Sequence, residues 1–150
     1  MISPFGFEDG TQLSGSTETL QLRFHHVGVA CTDLEKETRQ FASLGYSREG
    51  EDFEDPRQGI RGRFLSGQLP RIELLAPLED SKVLEAWLSA KVKMYHLAYE
   101  TPALKESIER LCAQRARVMR PPVPAVAFQM REIAFLMLPN LLLVELIALR

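Results

Sequence analysis

The chain has 150 residues, with 18 lysines and arginines against 20 aspartates and glutamates, a net charge of −2. Hydrophobic residues make up 45% and charged residues 25%, which fits one globular domain or two small modules sharing a core and argues against global disorder. That balance lacks the basic footprint of a dedicated nucleic-acid binder, and two cysteines, Cys31 and Cys112, make neither a disulfide framework nor a zinc ribbon.

Residues 1–21 are rich in Gly, Ser and Thr and are expected to form a flexible polar arm. Acidic residues and the lack of a long apolar stretch argue against a secretory signal there. The most apolar run, Leu141 to Leu149, is too short for a bilayer and carries Glu145 at its middle, so no membrane span is expected. A cytoplasmic setting follows as the simple expectation. From Phe24 to Ala30 the sequence FHHVGVA reads as a strand. A helix is expected next, with Leu34, Thr38, Phe41 and Ala42 on one face, a capping-box pattern from Thr32 and Glu35, and Gly45 at its end. Strands are expected at Tyr46–Asp52, Ile60–Leu65 and around Ile72–Ala76, then a short bridging helix near Val83–Leu88 with Trp87 on its apolar side.

The pattern then repeats. MYHLAYE at 94–100 mirrors FHHVGVA, with His96 standing 70 positions after His26. Leu104, Ile108, Leu111 and Cys112 repeat the helix stripe at the same shift, with Thr101 and Pro102 as its start signal. Strands are expected at Arg117–Arg120 and Glu132–Leu138, separated by a rigid loop marked by Pro121, Pro122 and Pro124. The segment VELIA at 144–148 repeats IELLA at 72–76, so Glu145 follows Glu73 by 72 positions. The fold class is therefore α+β, built from two β-α-β-β-β modules. Module 1 spans 22–77, a linker helix 78–91, and module 2 spans 92–150.

His26, Glu73, His96 and Glu145 interrupt apolar strands. A carboxylate in such a strand is costly to bury unless paired, hydrogen-bonded or bound to a metal. Each residue alone has a bland reading, but all four recur at matched positions. Two His and two Glu supply the N and O donors of a divalent metal site. Strand alternation would place Phe24 and Gly28 beside His26, and Met94 and Ala98 beside His96, with His25, Val27, Tyr95 and Leu97 facing the helices. Arg61, Arg63 and Arg71 are candidates for clamping a substrate carboxylate or phosphate, or else a solvated strand face. Cys31 has no activating base nearby, and Cys112 reads as helix packing.

The four segments around these residues (FHHVGVA, ELLAPL, YHLAYE and LVEL) resemble the vicinal oxygen chelate superfamily, which includes glyoxalase I, extradiol dioxygenases and fosfomycin-resistance proteins. The pattern is most similar to methylmalonyl-CoA epimerase-like proteins, over about residues 23–148, and the resemblance implies that the two modules pair to form an open cupped sheet. The resemblance implies a divalent metal (Co, Ni, Mn, Zn or Mg) held by His26, Glu73, His96 and Glu145. It implies an isomerase, epimerase or lyase acting through a metal-stabilised enolate on a small α-substituted carbonyl compound or acyl thioester. Glu145 and Glu73 become the catalytic carboxylates, Arg61 and Arg63 the candidate substrate-binding residues, and a homodimer the expected assembly. The second acid–base glutamate of the epimerases aligns with Gly62, a departure from the family pattern. Arg115, Arg117 and Arg120 suit a helix end and the next strand, or contact with a CoA phosphate. The alternatives are a glyoxalase I-type lyase, an extradiol dioxygenase, or a non-catalytic protein that sequesters a small molecule.

Overall fold

A computed structural model describes residues 20–150, so all but the last two residues of the expected arm lie outside the described residues. Eight strands and three α-helices run in the order β1 (Arg23–Ala30), α1 (Leu34–Ala42), β2 (Ser47–Asp55), β3 (Ile60–Ser66), β4 (Ile72–Pro77), α2 (Glu85–Ala90), β5 (Met94–Thr101), α3 (Leu104–Ala113), β6 (Arg117–Pro124), β7 (Glu132–Met137) and β8 (Leu143–Ala148). The strands form one sheet in the order β2-β3-β4-β1-β5-β8-β7-β6. Each module is therefore a β-α-β-β-β unit whose helix carries the chain across to a parallel partner, β1 beside β4 and β5 beside β8. The two units meet where β1 and β5 run antiparallel. Among the described residues no helix is long and apolar enough to cross a membrane.

Alternation along the strands divides the core. One face carries Val29, Leu65, Ile72 and Leu74 against Leu34 and Phe41 of α1. Its counterpart in module 2 carries Ala134, Leu136, Val144 and Leu146 against Leu104, Ile108 and Leu111 of α3. The opposite, concave face is filled by Ile60, Leu75, Tyr95, Phe135 and Ile147, with Trp87 and Leu88 of α2 and Phe128 of a 3-10 turn (Val126–Phe128) closing over it. Buried Asp55 holds that turn in place by accepting hydrogen bonds from Val126 N at 3.1 Å and Gln58 Nε2 at 2.9 Å.

Several local expectations change. Asp33, not Thr32, caps α1, its carboxylate accepting from the backbone N–H groups of Glu35 and Lys36. Helix α3 begins at Leu104, so Pro102 precedes the helix, and Thr101 Oγ1 instead accepts from Ala103 N. Gly45 does follow the end of α1 with φ of 95°, a left-handed conformation that glycine adopts without penalty. Cys112 is exposed, not packed. The prolines at 121, 122 and 124 belong to β6 itself, which is an edge strand with two register shifts and can lose N–H donors on its open side.

A candidate metal centre

The four central strands each contribute one residue: Glu73 from β4, His26 from β1, His96 from β5 and Glu145 from β8. Small residues make room for the rings. Gly28 pairs with His96 across the seam and with Glu73 on its other side. The His96 ring lies so close over Gly28 that a Cβ there would fall 2.7 Å from Nε2. Ala98 occupies the matching place in module 2, paired with His26 and with Glu145.

The alternation expected around the histidines fails at two β-bulges. On β1 the register skips His25, between Phe24 and His26; on β5 it skips Tyr95, immediately before His96. An unpaired extra residue re-aims the side chains on either side of it. Phe24 consequently packs edge-on against Tyr99 on the helix face, while His25 turns to the concave side against His26 and Phe128. Tyr95 likewise joins the concave core beside His96. The bulges sit 70 positions apart, so the repeat includes them.

All four candidate ligands are buried, and one donor atom from each falls within a span of 4.8 Å. His26 Nε2 and His96 Nε2 stand 3.0 Å apart, and Glu73 Oε2 is 2.6 Å from His26 Nε2 and 3.5 Å from His96 Nε2. Glu145 Oε2 is 3.4 Å from His96 Nε2. Despite these short distances, Glu73 Oε2, Glu145 Oε1 and His96 Nδ1 are buried without a properly directed hydrogen bond. Orphaned buried acceptors are costly, and a divalent cation among them would satisfy both carboxylates and both imidazoles. The donor set therefore fits a metal.

Electrostatics separates the two carboxylates. Burial pushes Glu73 up, but the adjacent His26 and His96 rings outweigh it and hold its carboxyl at about 2. Burial, and then the charge of Glu73, push Glu145 well above the usual carboxylate range. Burial also lowers His96, against the pull of Glu73, which keeps it neutral and able to ligate. Behind His26, His25 Nδ1 faces His26 Nδ1 at 2.8 Å and its Nε2 faces Arg71 Nη1 at 3.1 Å. A guanidinium only donates, so His25 accepts from Arg71 through Nε2. Burial, His26 and Arg71 together lower His25 to about 4, so it stays neutral at physiological pH. Arg71 in turn is anchored by both carboxylate oxygens of Glu49 and lies over the Phe64 ring.

The two arginines expected to bind substrate are elsewhere. Arg63 is buried on the helix face, donating to Asp52 Oδ1 and Oδ2 at 2.8 Å, Glu35 Oε1 at 2.6 Å and Thr38 Oγ1 at 2.9 Å. Arg61 projects from the same side of β3, lining a surface groove with Glu35 and Asp52. Gly62, between them, faces the cup, where Phe53 covers it. Beside Glu73 and Glu145 a narrow pocket of about 10 Å³, room for one water, is lined by Gln58, Tyr95, Phe135 and Arg120. Phe128, stacked on His26 at 5.8 Å, carries no signal in the sequence, because its placement depends on the tertiary contact of Asp55 with the 3-10 turn. Tyr95 and His25 were legible only as neighbours of ligands.

Known proteins are similar to this chain in sequence and fold. An ethylmalonyl-CoA/methylmalonyl-CoA epimerase from Cereibacter sphaeroides is 26% identical over 116 residues, covering 76% of this chain and 87% of the relative. The crystal structure of methylmalonyl-CoA epimerase from Mycobacterium tuberculosis superposes with a TM-score of 0.69 at 26% identity, covering 83% of this chain and 86% of that one. A Streptomyces coelicolor methylmalonyl-CoA epimerase variant in complex with 2-nitronate-propionyl-CoA gives the same TM-score and identity over 87% and 98% of the two chains. The matching family profile covers residues 25–135, which include three of the four clustered side chains and both bulges. The chain belongs to the glyoxalase/bleomycin resistance protein/dioxygenase superfamily.

Proposed function

We propose that the protein is a metal-dependent isomerase of the epimerase type, which moves a proton at the carbon next to the carbonyl of an acyl thioester. The observation that carries this reading is the buried His26, Glu73, His96, Glu145 cluster, with its orphaned carboxylate oxygens. These four residues would hold a divalent ion, which when bound would supply Lewis acidity to a substrate carbonyl. Glu145 is assigned the proton transfer because it lines the pocket beside the cluster, and burial and the charge of Glu73 raise its carboxyl above the usual range. Glu73, ionised and held by both imidazoles, anchors the site. Phe64, Phe128 and Phe135 pack around the imidazoles and exclude water from them. The epimerase relatives support an acyl-CoA thioester as the substrate class.

Metal analysis of purified protein, with deuterium exchange from solvent into acyl thioesters, tests the reading. Exchange that depends on metal and is lost in His96→Ala is expected; exchange retained by metal-free protein would falsify it. A second reading, a non-catalytic binding protein, is favoured by the Phe53 ring over Gly62, where the resemblance implies a second acid–base group. It predicts tight ligand binding without exchange in any metal form.

A further inference from the structure

The cup is closed across its mouth. The connection between β2 and β3, residues 56–59, and that between β6 and β7, residues 125–131, hold matched places in the two modules. Their ends meet. Asp55 Oδ2 accepts from Val126 N at 3.1 Å, and Arg120 Nη1 donates to the backbone carbonyl of Arg57 at 3.3 Å. The module 2 connection is three residues longer. Phe128 on it lies over the rings of His25 and His26, 5.5 and 5.8 Å away, and against Phe64 at 6.0 Å.

This connection is held in place from two sides. Gln129 and Met130 have φ of 56° and 66°, successive non-glycine residues in the left-handed region, which persist only where the surroundings hold them. On its own module, Arg131 donates to Ala148 O at 3.1 Å, Phe128 O at 3.2 Å and Glu100 Oε2 at 3.3 Å. Across the mouth it is held by Asp55, which is buried. The other walls are firmer: the strands are paired in ladders, and α2 is packed in through buried Leu84 and through Trp87 against Tyr95. Beneath this cover His26 and His96 have no exposed surface, and the pocket beside Glu73 and Glu145 has room for one water. An acyl group reaches none of these atoms while the mouth is closed.

We infer that the connection 125–131 is a lid, latched by Asp55, which swings off the cup to uncover His26 and His96 and then returns Phe128 over them. Opening breaks the bond to Asp55 and withdraws one phenyl ring, and it leaves every strand ladder intact. The lid's role in admitting an acyl thioester rests on the isomerase reading; its opening does not.

Chemical labelling tests the lid without metal or substrate. The chain has three histidines, His25, His26 and His96, and all three line the cup. Diethyl pyrocarbonate, which acylates neutral imidazoles, is followed by the mass of the histidine-containing peptides. Val126→Pro deletes the donor of the latch, and Ala125 already has the extended backbone (φ −118°, ψ 128°) that a following proline requires. Asp55→Ala deletes the acceptor. In metal-free, full-length protein both variants should label His26 and His96 at least about tenfold faster than the wild type, because the opening is local. Urea below the unfolding transition should change these rates little, since a local opening exposes little surface. Rates equal to the wild type's, or rates that rise with urea in step with global unfolding, overturn the lid. Co(II) separates the two claims. The ion should enter and leave both variants faster by a common factor with its affinity unchanged, because the lid carries none of the four clustered residues. Weaker binding with an unchanged rate of entry overturns the gating role. No Co(II) uptake by the wild type overturns the metal-dependent reading instead, and the labelling rates alone then decide the lid.

Discussion

Gly62 and Phe53 face each other across the β2–β3 ladder, and the Phe53 ring stands where a Gly62 side chain would go. A Cβ on Gly62 would lie within 2.8 Å of both Cε atoms of that ring, so Gly62→Ala forces Phe53 to move. Overpacking of this kind costs about 1–3 kcal/mol. In a Phe53→Ala background the same substitution should cost about 1 kcal/mol less, since the obstruction is gone. Urea unfolding of the four proteins in this cycle measures the coupling, and strict additivity would show that the ring does not depend on the glycine.

Metal uptake should depend on all four strands. His96→Ala is expected to weaken Co(II) binding by more than about a hundredfold, because it removes a ligand and opens a gap over Gly28. Chelation of the wild type should lower its melting temperature, since an ion bound only by the folded state stabilises it. A chelator that leaves the melting temperature unchanged would count against the site.

Glu145 gives metal binding a pH dependence of defined sign. Its raised carboxyl is protonated below its elevated pKa, and a metal binds only the ionised form. Affinity should therefore rise with pH, by about tenfold per unit while the acid form dominates, and close to one proton should leave per ion bound. Glu73, held at about 2, adds nothing to this slope near neutrality. Titrations in buffers of different ionisation enthalpy count the protons; Glu145→Gln should abolish the release, and an undiminished release in that variant would sink the assignment.

Arg63 is a structural residue. Its buried guanidinium binds Asp52 and Glu35, whose carboxyls are held below their usual range by it. Depressed carboxyls stabilise the fold above the ordinary carboxylate range, and that stability is lost as pH falls through their lowered values. Arg63→Met should cost about 1–3 kcal/mol at pH 7, at the low end because both carboxylates reach solvent, and should flatten the acid limb of the stability curve. Affinity for acyl thioesters should not change; a selective loss of affinity at full stability would return Arg63 to a binding role.

The central architecture was legible because repetition amplified weak signals. One buried histidine is ambiguous, whereas His26 and His96 at matched positions, with Glu73 and Glu145 at theirs, identify four strands and one shared face. Simple alternation failed next to those residues, since a bulge inserts one residue that periodicity counts as ordinary; Phe24, His25, Met94 and Tyr95 were all assigned to the opposite face for that reason. Arg63 looked like a surface cation because its partners, Asp52 and Glu35, are distant in sequence. The prolines of β6 read as loop because an edge position is a property of the sheet, not of the strand.

With a metal bound as proposed, the antiparallel seam between β1 and β5 would give the protein the character of a chelating agent. Each module offers one imidazole and one carboxylate, a bidentate arm, and the seam is the linker that holds the two arms at a fixed bite. A single module should bind an ion only as weakly as an ordinary two-donor ligand. The intact sheet would convert the second pair of bonds into an intramolecular event with a high effective concentration. An ion in the centre would likewise act as a cross-link between the halves, so opening the seam and releasing the ion would be one event seen from two sides.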